Sequence, residues 1–152
     1  MRLGVVTTSY PRWDGDAAGH FVAAHVHALR KRDDVLATGH HGVPGQVRVI
    51  AAGAAPAHRE DGVHRIDGGA LFYRGGAPDR LERGGASGAA AWFSARMAAE
   101  VSIRFARVDG ICAHWLAPSA LCSLAVGAPL LAICHGGDLG LLTRMRLLPT
   151  AL

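Results

Sequence analysis

Residues 1–30 read MRLGVVTTSYPRWDGDAAGHFVAAHVHALR, and their order decides the fold. Leu3 to Thr7 (LGVVT) is short and β-branched, without the polar alternation of a half-exposed strand. That is the pattern of a strand buried on both faces in a parallel sheet. Thr8 to Gly19 follows as a long polar connection containing Pro11, Gly15 and Gly19. From His20 to Arg32 the residues Phe21, Val22, Ala24, Ala28 and Leu29 recur at helical spacing. Arg30, Lys31 and Arg32 fall in the last turn, where positive charge suits the helix dipole. A strand, an open glycine-bearing loop and a helix form the first unit of an α/β sheet.

Further along the chain, Val47 to Ala51 (VRVIA), Val63 to Ile66, Gly110 to His114 (GICAH) and Pro129 to Cys134 (PLLAIC) read as strands. Val35 to Thr38 is a weaker candidate. Ala89 to Arg107 carries Trp92, Phe93, Met97, Val101 and Phe105 near helical spacing and predicts a helix. Ser119 to Val126 predicts a short one, with Pro118 at its start. The glycine-rich Gly68 to Gly88 reads as a surface loop. Strands alternating with helices predict an α/β fold with a doubly wound, mostly parallel sheet. Chemistry in such sheets collects at the carboxyl ends of the strands. Three polar segments meet that description: Thr8 to Gly19, His114 to Ser119, and His135 to Asp138.

The 152 residues suffice for one domain with one core. With 50% hydrophobic and 18% charged residues, a disordered chain is excluded. The net charge is +4, and all basic residues but Lys31 are arginine. Such a surface suits a phosphorylated substrate or an anionic lipid face. Aromatics are only 6%, and no basic run exceeds Arg30-Lys31-Arg32, which argues against a stacking platform for nucleic acid. Cys112, Cys122 and Cys134 lack CxxC spacing and read as free buried thiols of a reducing cytoplasm. The first apolar run is too short for a signal segment, and no stretch approaches a membrane span. The expected location is cytoplasmic.

The first loop has no GxGxxG, so a nicotinamide or flavin fingerprint is absent. Its Gly19 stands at a helix entrance, where backbone amides can hold phosphate or hydroxyl oxygens. A plain connection capped by Asp16 or Gly19 would read the same. His135-Gly136-Gly137-Asp138 leaves a strand directly, pairing an imidazole and a carboxylate beside two glycines that let a ligand approach the backbone. A structural His135 and a helix-capping Asp138 would give the same letters. His114-Trp115 adds an imidazole and an indole at another strand end, or simply packs there. His20, His25 and His27 lack the HExxH arrangement, His40-His41 lies in a turn, and no metal site is expected. There is no GxSxG elbow, no triad around Ser119, and no GxxxxGK[ST] loop.

With these segments placed, the chain resembles the amino-terminal domain of the family 4 glycosyltransferases of GT-B fold. The resemblance rests on MRLGVVTTSYPRWDGDAAGHFVAAHVHALR, HWLAPSALCSLA and PLLAICHGGDLGLL, in that order and over roughly half the chain. It implies a Rossmann-like domain, the incomplete amino-terminal half of a GT-B pair over residues 1–152. It also implies retaining transfer of a sugar from a nucleotide-sugar to a sugar or lipid-linked acceptor. No metal or other cofactor is implied, and the nucleotide-sugar is a co-substrate. By the same resemblance, His135 and Asp138 are the catalytic candidates, with Asp138 holding the His135 loop. Gly15, Asp16, Gly19, His114, Trp115, Gly136 and Gly137 are the candidates for donor or acceptor binding. The partners implied are the two substrates, a separate carboxyl-terminal half, and a peripheral contact with the inner membrane face, without nucleic acid.

The chain departs from the family pattern at three points. Arg32-Asp33-Asp34-Val35 and LATGHHGVPGQ replace the usual Gly-His-x-Val turn. Gly140 stands two residues after Asp138, where a polar residue is common. The chain reaches Leu152 only 18 residues after Cys134, without the donor-binding domain. The resemblance therefore implies that the chain alone is inactive, and that Leu139 to Leu152 presents an apolar patch prone to association. The residues leave two other readings open. One is a non-catalytic module that binds a sugar or phosphate; the other is an inactive remnant of the fold.

Overall fold

A computed structural model describes residues 1–32, 46–53, 62–68, 71 and 87–144. The described elements are β1 (Arg2–Thr7), α1 (His20–Arg30), β2 (Gln46–Ala52), β3 (Val63–Ile66), α2 (Ser87–Arg104), β4 (Gly110–His114), a short helical stretch α3 (Leu116–Ala120, Leu121–Ser123 and Leu124–Val126), β5 (Leu130–Ile133) and α4 (Gly136–Arg144). The five strands form one sheet in the order β3-β2-β1-β4-β5. All four pairings are parallel; Val5 of β1 faces Val49 of β2 on one side and Cys112 of β4 on the other. This is the doubly wound, Rossmann-like α/β arrangement expected from the strand–helix alternation.

Period-two alternation along each strand sends side chains to opposite faces. Leu3, Val5, Val47, Val49 and Ala51 point to one face and are covered by Val22 and Val26 of α1, with Tyr10 from the first loop. Val6, Ile50, Ala52, Ile66, Ile111 and Ala113 point to the other face. There Phe93, Met97, Val101 and Phe105 cover them, spaced four residues apart on one stripe of α2 and its exit. Trp92 falls off that stripe and is 66% exposed, so it does not join the core as its spacing suggested.

Gly4 fixes how closely that layer approaches. A Cβ there would lie 2.5 Å from two ring carbons of Phe105, so the aromatic ring rests directly on the β1 backbone. The opposite end of this contact is tied by Asp109, which accepts from the Arg2 backbone amide at 2.6 Å and from Arg2 Nη2 at 3.1 Å.

Element boundaries shift slightly from the sequence reading. The first helix ends at Arg30 instead of Arg32, and α2 spans Ser87–Arg104 instead of 89–107, taking in the last two residues of the expected glycine-rich loop. The candidate strand at 35–38, the rest of residues 33–45 before β2 and most of the 68–88 loop lie outside the described residues. The thiols are free, but only Cys122 is buried; Cys112 is half-buried, and Cys134 is exposed on leaving β5. Among the described residues β5 lies at the edge of the sheet, and its side chains are half-buried or exposed, Leu131 at 58%. Of the apolar tail, Leu139 is exposed, while the side chains of Leu141, Leu142, Leu147 and Leu148 lie outside the described residues. No helix among the described residues is long and apolar enough to cross a membrane.

Gly4→Ala should lower unfolding stability by about 1–3 kcal/mol through overpacking against Phe105. Chemical denaturation would read this as a lower midpoint at unchanged slope. Combining it with Phe105→Leu should restore part of the loss, because the smaller side chain gives the new methyl room.

Candidate functional site

A topological switch point lies between β1 and β4, because the chain leaves β1 towards β2 and enters β4 from the opposite side. The crevice at their carboxyl ends is where ligands bind in open parallel sheets. Three of the segments singled out in the sequence converge on this end: the loop after β1, the turn after β4 and the turn after β5.

The loop after β1 folds back to start α1 against the strand it has just left. Thr7 Oγ1 donates to the Ser9 carbonyl at 2.9 Å and accepts from the Ser9 amide at 3.1 Å. Gly19 sits at the helix entrance with φ 72°, and a Cβ there would collide with the Ser9–Tyr10 peptide. Only glycine meets both demands. Asp16 does not cap the helix. Its carboxylate accepts from Arg12 Nε at 2.6 Å, from the Arg12 amide at 3.1 Å and from the Ala18 amide at 3.0 Å. The Arg12 guanidinium is the main reason that the Asp16 pKa falls to about 2. Arg65 of β3 holds the loop from outside, donating to the carbonyls of Tyr10 and Pro11. Along the loop runs a depression of about 570 Å³, lined by Tyr10, Trp13, Asp14, Gly15, Asp16 and His20 among others. Trp13 is exposed there, with the Arg12 guanidinium 4.2 Å above its ring. Asp16 thus braces the loop, while Gly15 belongs to the depression.

The other two segments meet each other. Asp138 is the third residue of α4, and its Oδ2 accepts from the His135 amide at 3.2 Å. The Asp138 amide donates to the His135 carbonyl at 2.9 Å. Part of this is the carboxylate arm of a capping box, which fixes the helix start to the preceding turn. The same Oδ2 accepts from the Leu116 amide at 3.2 Å, joining the turn after β5 to the turn after β4. Trp115 occupies φ 78°, ψ 132°, a conformation that costs a bulky residue about 1–3 kcal/mol. Its ring centroid lies 4.5 Å from that of His135. Phe21 approaches His135 at 4.8 Å. A Cβ on Gly137 would make an ordinary van der Waals contact with Trp115 Cζ3 at 3.6 Å, and one on Gly136 would meet open space.

His114 is 3% exposed, and both its ring nitrogens contact other imidazoles. His25 Nδ1 lies 2.9 Å from His114 Nε2, and His135 Nε2 lies 3.2 Å from His114 Nδ1. Burial first, then the two neighbouring rings, depress the His114 pKa to about 4. Burial also lowers the pKa of His25. Trp115 Nε1 and Ser119 Oγ are buried without a hydrogen-bond partner among the described residues.

The structure therefore gathers His114, Trp115, His135, Gly137 and Asp138, and adds Phe21 and His25, which the sequence reading had not singled out. The signal for these two was their i, i+4 spacing, which puts an aromatic ring and an imidazole on one helix face. Gly15 and Asp16 belong to the neighbouring depression, which His20 links to this cluster through its edge contact with Phe21, at 5.9 Å between ring centroids. No family model matches the chain, and no curated protein matches it.

Two losses of stability should appear on acidification. His114 has a depressed folded-state pKa, so its neutral form contributes fully above pH 6.5. That contribution is lost as pH falls towards 4, up to about 3 kcal/mol at 1.36 kcal/mol per pH unit. Asp16 contributes above pH 3.8, and its part is lost as pH falls towards 2. Thermal unfolding against pH should show the upper step vanish in His114→Phe and the lower one in Asp16→Asn.

Proposed function

We propose that this chain is the acceptor-side, amino-terminal domain of a retaining glycosyltransferase of GT-B type, which holds a sugar at the crevice above β1, β4 and β5. The observation that carries the reading is the His135 turn. An imidazole stands at the exit of β5 between two aromatic rings, and the carboxylate of Asp138 is engaged with backbone amides. Aromatic faces and a ring nitrogen suit the apolar face and the hydroxyls of a sugar. Asp138 already answers the positive end of α4, so a neutral hydroxyl fits beside it better than a second anion. Its role is then positioning, with His135 the residue that touches ligand. The depression along the first loop, with Trp13, Asp14 and Gly15, would take the neighbouring part of an acceptor or donor.

A retaining transfer of this type develops charge on a leaving diphosphate, which fixed donors stabilise without a protein nucleophile. In the proposed architecture those donors come chiefly from a second nucleotide-binding half. The 152-residue chain would accordingly bind sugar without transferring it. A non-catalytic sugar-binding module would share the same first step.

Calorimetric titration of the chain with a panel of sugar phosphates and nucleotide-sugars should find a ligand. His135→Ala should weaken it at least tenfold, about 1.4 kcal/mol, at a temperature where the variant is still folded by circular dichroism. Radiolabelled transfer should stay at the buffer level until a nucleotide-binding half is supplied. Undiminished binding in His135→Ala, or transfer by the chain alone, would overturn these assignments.

A further inference from the structure

His25, His114 and His135 come from α1, β4 and the turn after β5, and they meet in series, not around a point. Each contact uses a different nitrogen of the middle ring. The three rings therefore do not converge on a cation, and no group of His, Cys, Asp or Glu among the described residues is arranged to hold a metal. The outer nitrogens, His25 Nε2 and His135 Nδ1, have no hydrogen-bond partner among the described residues. His25 and His135 are half-buried, and His114 is buried between them.

We infer that the three imidazoles form a proton relay, which carries one proton between solvent at His25 and the crevice at His135. A neutral imidazole has one N–H and one lone pair. His114 must therefore donate to one neighbour and accept from the other. This couples all three tautomers: the neutral chain is either wholly Nδ1–H or wholly Nε2–H. When His25 takes a proton at Nε2, its Nδ1–H donates to His114 Nε2, and His114 Nδ1–H donates to His135 Nε2. The His25 Nδ1 proton then passes to His114 Nε2, while the His114 Nδ1 proton passes to His135 Nε2. His25 is left neutral with its proton on Nε2, and His114 is neutral with its proton on Nε2. His135 becomes the cation, presenting Nδ1–H to the crevice. Two protons have moved, one in each hydrogen bond, and both bonds survive.

A second proton cannot be accommodated. With both outer rings cationic, each would point an N–H at His114, which has one lone pair to offer. The charge therefore sits at either end and is excluded from the buried middle ring, in line with its depressed pKa. Among the described residues, the groups facing the relay come from three elements. From α4, Asp138 approaches with its carboxylate held on the amides of His135 and Leu116. From the β5 exit, the Cys134 thiol donates to the His135 carbonyl at 3.7 Å. From α1, His20 packs on Phe21, whose ring separates it from His135. A sugar hydroxyl as the group that exchanges a proton with His135 rests on the function proposed above; the relay itself does not.

The test uses the free, isotope-labelled 152-residue chain, so its outcome is independent of ligand or transfer. Imidazole nitrogen NMR should show scalar couplings across both N–H···N contacts and one shared tautomer for the three rings near pH 8. The tautomer coupling predicts that the three rings change tautomer together and never one at a time. His25→Leu should release it and change the proton distribution between Nδ1 and Nε2 of His135, a ring it does not touch. His27→Leu, an exposed change on the same helix, should leave it unmoved. His114→Phe should uncouple the outer rings, and His25→Leu keeps the test decisive if that core variant does not fold. Absent couplings, with the same His135 tautomer distribution in the parent and His25→Leu, would overturn the relay.

Discussion

The placement of β1 between β2 and β4 is the constraint from which the site follows. A parallel strand needs a crossover to each neighbour, and right-handed crossovers to opposite sides put helices on opposite faces. α1 then covers the Leu3–Val5–Val49 face and α2 the Val6–Ile50–Ile111 face. The carboxyl ends of β1 and β4 lie side by side. Gly4 lets Phe105 bear directly on β1, so the central strand is fixed from the α2 side. Gly19 does the corresponding work at the other end, letting the first loop return against Ser9 and aim α1 across the sheet. His25 reaches His114 only because α1 is aimed in this way.

Within that frame, the burial of His114 explains more of the site than any charge does. A buried imidazole without partners would leave both a donor and an acceptor unsatisfied, at a cost of some kcal/mol. The fold supplies a partner for each nitrogen, and both partners are imidazoles. A carboxylate partner would have favoured the cation inside the core; with two imidazoles there instead, burial keeps the ring neutral. Phe21 approaches both His114 and His135, at 6.1 and 4.8 Å between ring centroids, so one residue of α1 braces both.

The fold was legible because it is written locally. LGVVT, VRVIA and GICAH are short β-branched or small-residue runs, and Phe93, Met97, Val101 and Phe105 keep one stripe over three turns. Boundaries moved where capping, not periodicity, decided them, as at Arg30 and Ser87. In the site, the HGGD turn was legible because the chemistry sits on consecutive residues. The relay was not, because His25 and His114 are 89 positions apart in sequence and come together only through the sheet order. Asp16 looked like a helix cap, and it became the partner of Arg12 because the four-residue spacing closes a tight loop around one carboxylate. Cys134 looked buried among apolar letters, but it leaves an edge strand and emerges into solvent.

That edge position also explains why His135 is held by polar and aromatic contacts instead of core packing. β4 has strands on both sides, and its Ile111 and Ala113 are buried. β5 has one strand neighbour among the described residues, and Leu131 and Ala132 are exposed. A residue leaving such a strand cannot be positioned by surrounding bulk. Asp138 supplies the missing restraint, since one oxygen ties the turn both to its own helix and to Leu116 beyond β4. Trp115, held at positive φ, lays its indole against the imidazole from the same side of the sheet as that tie. Two local devices thus place a mobile type of side chain on the least covered strand, with its outer nitrogen still open to the crevice.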